Sequence, residues 1–161
     1  YASHVLNLIQ EIVGNPVSVK GTLRKKIYSR DVDDAVYSML TLDSGLTGIL
    51  SVNWSDETYR KMSTSLTLFG KKGKIICDAT EIKIYLKEAN PKENLEKGWT
   101  IKYITEFAIP VNFYLRGEEY SAQIDNFISC IINKKQSDVN TFSQALNTDR
   151  VIDLIIADSK S

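Results

Sequence analysis

The sequence predicts an α+β domain: an open, mainly antiparallel β-sheet with helices packed on one face. Three observations carry that expectation. Apolar and polar residues alternate with period two through the middle of the chain. Apolar residues recur with helical period at both ends. The connections between the alternating stretches are too short for the helical crossovers that parallel strands require.

The elements follow in order. Val5, Leu8, Ile9 and Ile12 fall at helical spacing, and Gly14 with Pro16 ends that run. Val17, Val19 and Leu23 then alternate with Ser18, Lys20, Thr22 and Arg24 as a strand. A second strand runs from about Asp34 to Leu42 and closes on Asp43-Ser44-Gly45, a hairpin-type turn. In the next, Leu46, Leu50, Val52 and Trp54 share one face, and Ile49 interrupts the polar face of Thr47, Ser51 and Asn53. Leu66 and Leu68 begin a strand that turns at Gly70-Lys71-Lys72-Gly73 into Lys74–Asp78. Ile82, Ile84 and Leu86 form one further alternation, and Trp99, Ile101 and Tyr103 another. Tyr120, Ile124, Phe127, Ile128, Ile131 and Ile132 make one helical stripe, with Glu118 and Glu119 in the first turn and Lys134 and Lys135 past the last, as the helix dipole prefers. Thr141-Phe142-Ser143-Gln144 has the capping-box pattern and opens a final helix through Ile155 and Ile156. The order is helix, about seven strands, two helices.

Composition narrows the function class. The chain has 161 residues, 20 basic and 20 acidic side chains, and a net charge of zero. This length predicts one domain, able to bury roughly two thirds of its unfolded surface without a metal or disulfide staple. A neutral chain lacks the basic excess of a nucleic-acid domain, and no run of 18 apolar residues predicts a membrane span. Cys77 and Cys130 cannot build a disulfide framework, and one His with two separated Cys makes no zinc set. The expectation is a cytoplasmic protein without a metal. The first helix begins at the first residue without a cap, which suggests part of a longer protein.

Few residues carry chemistry. His4, Asn7 and Glu11 form a polar strip beside the apolar one on the first helix. His4 is read either as a proton-transfer group at a cleft wall or as a helix-edge His satisfied by a neighbour. Asp31, Asp33 and Asp34 could suggest a cation site, but the Gly and terminal Glu of a calcium loop are missing, so acids at a loop-to-strand junction are the simpler reading. Gly70-Lys71-Lys72-Gly73 lies between two strands and reads as a hairpin, not a phosphate loop. Lys25, Lys26, Arg60, Lys61 and Arg116 could hold an anion or simply be a solvated face. No Gly-x-Gly-x-x-Gly occurs, so the chain cannot itself supply a Rossmann dinucleotide site.

Four stretches together resemble the C-terminal domain of the glucose–fructose oxidoreductase, inositol dehydrogenase and rhizopine catabolism family (Gfo/Idh/MocA). Ser3-His4-Val5-Leu6-Asn7 with Gly14-Asn15-Pro16 is similar to the family's Gly-x-His-x-x-Asp helix and its exit. Asp33-Asp34-Ala35, then Ser44-Gly45 and Gly48, match its strand and hairpin signals. Leu68 to Ile75 resembles its Gly-x-x-Gly hairpin. Tyr120 to Ile128 and Asp149-Arg150-Val151-Ile152 resemble its last two helices.

The resemblance implies the dihydrodipicolinate-reductase-like C-terminal fold and a two-domain parent. Residues 1–161 would be the substrate-binding and oligomerisation domain, and a separate N-terminal Rossmann domain, absent from this chain, would bind NAD or NADP. The parent would be an oxidoreductase acting on a hydroxyl of a sugar, nucleotide sugar or cyclitol. It would form a homo-oligomer through the sheet face and bind neither nucleic acid nor membrane. His4 occupies the place of the family's proton-transfer His. Asn7 stands where the family usually has Asp; Asn carries no charge to stabilise an imidazolium, but it can orient the ring by a hydrogen bond. Asn53, Trp54 and Arg60, past a strand end, and Tyr114 and Arg116, before the penultimate helix, are candidate substrate contacts. The chain alone is expected to be catalytically silent. The rival reading is a non-catalytic module that self-associates or binds through its sheet. A hydrolase fits poorly, because Gly-x-Ser-x-Gly is absent and the one His has no evident nucleophile.

Overall fold

A computed structural model describes residues 2–54, 58, 62–115 and 118–160. The chain divides into two compact units, Tyr1–Thr58 with Asn126–Ser161, and Tyr59–Asp125. The expected α+β class and antiparallel pairing are found, with the seven strands shared between two sheets.

The first unit holds α1 (Ala2–Ile12), β1 (Pro16–Lys25), β2 (Ala35–Leu42) and β3 (Thr47–Asn53), in the antiparallel order β1-β2-β3. Its core is Leu6, Val19, Leu40, Leu42 and Leu50 with Val151 and Ile155 of the last helix, α4 (Phe142–Asp158). Both helices thus bury their apolar sides with one face of the sheet. The capping box foreseen at Thr141 is present: the Gln144 N–H donates to Thr141 Oγ1 at 3.2 Å, and the Thr141 N–H to Gln144 Oε1 at 2.7 Å.

Two expectations of periodicity are corrected here. On α1 the residue fully removed from solvent is Leu6, supported by Val5, Ile9 and Val13, whereas Leu8 and Ile12 are about half exposed. At 100° per residue the buried side is turned by roughly 60° from the stripe read in the sequence. The cause is α4, which takes the adjoining side: Thr148 donates to Gln10 Oε1 at 2.7 Å and Gln144 Nε2 to Glu11 Oε1 at 2.6 Å. On β1, Val17, Val19 and Leu23 do not share a face. The register slips between Pro16 and Ser18 and again between Lys20 and Leu23. Gly21, with φ of +68°, sits in the second slip, where glycine adopts that conformation without steric cost. Leu23 is therefore turned outward opposite Tyr37, and Thr22 shares a 2.8 Å hydrogen bond with the buried Ser38 hydroxyl.

The second unit is the meander β4 (Leu66–Gly70), β5 (Gly73–Cys77), β6 (Glu81–Leu86) and β7 (Gly98–Tyr103), followed by the short α2 (Ile104–Phe107). Leu68, Ile75 and Ile84 share one half-buried face, while Phe69, Lys74, Tyr85 and Trp99 line up across the other. Lys74 Nζ lies 5.1 Å from the Trp99 ring centre, and the Tyr85 and Trp99 rings are 5.3 Å apart. The penultimate helix α3 (Glu118–Ile132) runs where the sequence placed it, but Tyr120, Phe127, Ile131 and Ile132 of its apolar stripe remain more than half exposed.

Candidate functional site

The sequence-predicted residues separate into groups. His4 is exposed on the first turns of α1, and Asn7 is half-buried one turn further on. Among the described residues the side chains of His4 and Asn7 are not hydrogen-bonded to each other, and the His4 imidazole makes no hydrogen bond. Asn53 ends β3 and Trp54 follows it, both exposed and both lining a cleft of about 540 Å³. Tyr114 is exposed in the second unit. Arg60, Lys61 and Arg116 lie outside the described residues.

The cleft has a wall that sequence reasoning missed. Besides Asn53 and Trp54 it is lined by Tyr28, Ser29 and Val32 from the β1–β2 loop, by Val36 and Val52 from the sheet, and by Ala2 at the start of α1. Its size falls within the usual range for small-molecule pockets. By helical geometry His4 stands roughly 200° around α1 from Ala2, so it shares the end of the helix with the cleft but not its lining.

One buried residue holds both sides of the cleft. A single oxygen of Asp34, Oδ2, accepts the backbone N–H groups of Ile27, Tyr28 and Ser29 at 2.6, 2.6 and 2.9 Å. The Asp34 carbonyl accepts the Trp54 N–H at 2.7 Å, and the Asp34 N–H donates to the Lys25 carbonyl at 2.8 Å. The Ser29 and Tyr28 N–H groups, then that of Ile27, hold the Asp34 carboxyl below its usual value against the opposing effect of burial. Asp33 accepts from Arg24 Nε at 2.7 Å and pairs with Nη2 at 2.6 Å, and Arg24 Nη1 also donates to Ser159 Oγ at 3.0 Å. These acids serve the loop, which is the junction reading of the Asp31-to-Asp34 cluster. Among the described residues, no three His, Cys, Asp or Glu side chains group as a metal site, and no helix is long and apolar enough to cross a membrane. The Gly-Lys-Lys-Gly segment is the β4–β5 hairpin, with Gly70 paired to Gly73. The overlooked signal was Asp34 itself, directly before a strand and within reach of the loop amides.

Comparison with known proteins bears out the resemblance. Residues 1–76 match the family model described as GFO/IDH/MocA C-terminal domain. No curated protein matches the chain in sequence. Among solved structures, levoglucosan dehydrogenase in complex with NADH and levoglucosan superposes with a TM-score of 0.80 at 17% identity, over 99% of this chain and 46% of that one. Aldose-aldose oxidoreductase from Caulobacter crescentus, complexed with glycerol, gives 0.71 at 18% identity, over 99% and 44%. The WlbA dehydrogenase from Bordetella pertussis, with NADH and UDP-GlcNAcA, gives 0.66 at 19%, over 99% and 41%. At these identities the likeness establishes the fold. The chain spans about half the length of the structures it matches.

The described residues do not form the Rossmann type of dinucleotide site. Every strand pairing is antiparallel, so there is no parallel βαβ turn to present a helix N-terminus to a pyrophosphate.

Proposed function

We propose that this chain is the substrate-binding and oligomerisation half of an NAD(P)-dependent oxidoreductase that acts on a hydroxyl of a sugar, nucleotide sugar or cyclitol. The observation that carries the reading is the match of residues 1–76, the stretch containing His4, to that domain family. The named dehydrogenases of the same fold, two of them holding NADH, support it. A nucleotide-binding domain outside this chain holds NAD or NADP, which when bound accepts or returns the hydride.

This chain handles the proton. His4 takes it from the substrate hydroxyl or gives it back, as a histidine can near neutral pH. Asn7, with no charge, orients rather than electrostatically stabilises the ring. Asn53, Trp54, Arg60, Tyr114 and Arg116 contact substrate. The deciding experiment is to express the protein encoded together with the sequence preceding Tyr1 and follow reduced nicotinamide with hydroxy-sugars. His4→Ala is expected to lower kcat about 10²–10⁴-fold. Undiminished turnover in that variant, or a gene lacking a nucleotide-binding domain, overturns the proposal. The isolated chain is expected to show no turnover.

A self-associating sheet module is favoured by one observation of its own. Leu23, Tyr37, Met39 and Ile49 are all exposed, and the strand register gives them one face of β1–β3. Sedimentation of this chain and of Ile49→Asp tests that face. Association of the native chain, lost in the variant, supports it, and a strictly monomeric native chain refutes it.

A further inference from the structure

We infer that residues 26–32 of the β1–β2 loop form a hinged strap along the cleft, closed by a single latch, the ionised carboxylate of Asp34. Opening the strap removes the Tyr28, Ser29 and Val32 side of the cleft and leaves the sheet and Trp54 in place. The inference is independent of the catalytic reading above, because neither the strap nor its test involves a substrate.

Three features argue for it. The first is what fastens the strap. Its apolar side chains, Ile27, Tyr28 and Val32, are each more than half exposed, so little hydrophobic burial holds it down. The fastening is polar and converges on one atom of a buried residue. Asp34 Oδ2 accepts the N–H groups of Ile27, Tyr28 and Ser29 at 2.6, 2.6 and 2.9 Å. Two further ties, Lys26 Nζ to the Arg30 carbonyl and the Val32 N–H to Ser29 Oγ, both at 3.3 Å, are exposed and internal to the strap, so they travel with it.

The second is where it is hinged. Lys25 pairs with Ala35 in the sheet, the Asp34 N–H donates to the Lys25 carbonyl at 2.8 Å, and Arg24 holds Asp33. Both ends of the strap are therefore fixed by contacts that do not use the Asp34 carboxylate. The Trp54 N–H is held by the Asp34 backbone carbonyl and not by the side chain. Loss of the carboxylate's grip frees the segment between the hinges and leaves the flanking strands paired.

The third is charge. Three N–H dipoles aim their positive ends at one oxygen. A carboxylate answers them with a full negative charge, and such charge-assisted bonds are roughly twice as strong as neutral ones. A neutral amide in the same place keeps the shape of the latch and loses most of its hold.

The test combines amide hydrogen exchange in this chain, followed by NMR at rising urea below the unfolding transition, with limited trypsin digestion. The strap carries two tryptic sites, Lys26 and Arg30. The Ile27, Tyr28 and Ser29 amides are expected to exchange faster than those of β2 and β3, at rates that urea hardly changes. A local opening exposes little surface, whereas exchange that needs the sheet to open accelerates with urea. Asp34→Asn is expected to speed exchange at the three amides, and the first cuts after Lys26 and Arg30, by about tenfold or more. Cuts after Lys134 and Lys135, between α3 and α4, stay at the native rate, because opening there leaves the Asp34 bonds intact. Tyr28→Ala changes exchange in the strap by less than about threefold, as expected of an exposed side chain.

A urea slope for the three amides equal to that of β2 and β3 means that the loop opens only with the sheet, and it overturns the inference. So does native-rate exchange in Asp34→Asn, or acceleration of the Lys134 and Lys135 cuts by the same factor. A loss of protection in Tyr28→Ala as large as that in Asp34→Asn also overturns it, because apolar packing would then be the fastening. The native urea slopes and Tyr28→Ala decide the question without relying on the folding of Asp34→Asn.

Discussion

Replacing Leu6 with Ala deletes three carbons from a side chain that is 0% exposed and packed among Val19, Leu40, Leu42, Leu50, Val151 and Ile155. The sheet below and α4 beside it leave little room for collapse, so a cavity remains. The expected loss is about 2–5 kcal/mol. Leu8, two residues along the same helix, is 46% exposed, and Leu8→Ala is expected to cost about 1 kcal/mol or less. Hydrophobic periodicity alone assigns the opposite ranking, because it places Leu8 and not Leu6 on the apolar stripe. Urea unfolding separates the two. Trp54 lies in the unit that contains α1 and Trp99 in the other, so fluorescence in a Trp99→Phe background reports the relevant unit. With a slope of about 2 kcal/mol per molar urea, Leu6→Ala lowers the midpoint by about 1–2.5 M and Leu8→Ala by about 0.5 M or less. Equal losses, or a larger one for Leu8→Ala, would refute the packing argument.

Other expectations follow from single features. A Cβ at Gly73 would collide with the Tyr85 carbonyl oxygen, so Gly73→Ala should disrupt the β5–β6 pairing, read as lost amide protection in β5 and β6 by hydrogen exchange. Thr141→Ala removes the cap of α4 and should cost about 1 kcal/mol in the same urea titration. Asp34 and Asp78 have carboxyls held below their ordinary value of 3.8, Asp78 chiefly by the Thr80 hydroxyl. Their contribution is complete above the unfolded value and is lost as pH falls through the lowered folded values, so stability should drop below about pH 4 and drop less in Asp34→Asn. Lys83 is held above 10.5, chiefly by its hydrogen bond to Glu81. Its contribution is present below that value and disappears as pH rises through the higher folded one, which an alkaline titration of Glu81→Gln against the native chain should register as a flatter profile.

Much of this molecule is legible in local sequence. The alternations of β4 to β7, the Gly70–Gly73 hairpin and the Thr141 capping box depend on residues within a few positions of one another and appear where they were read, whereas the β1 alternation is broken by its register slips and Leu46 and Trp54 lie outside β3 and exposed. The family resemblance is matched over residues 1–76, which hold the first three of the four stretches that carried it. His4 and Trp54 were legible as candidates because their types are rare here and sit at element ends.

What the sequence by itself determined was therefore which segments become helix and strand, and that the pairing would be antiparallel. Only the tertiary structure decided which sides of those elements are buried and which loops form a wall. The buried side of α1 is settled by Gln10 meeting Thr148, 138 residues away, and the Thr22 N–H meets Asp158 across 136. The cleft exists because one Asp34 oxygen gathers three loop amides while its carbonyl holds Trp54. Periodicity records a segment's own hydrogen bonding and polarity. The partner that chooses among its faces is remote in sequence, and no local pattern encodes it.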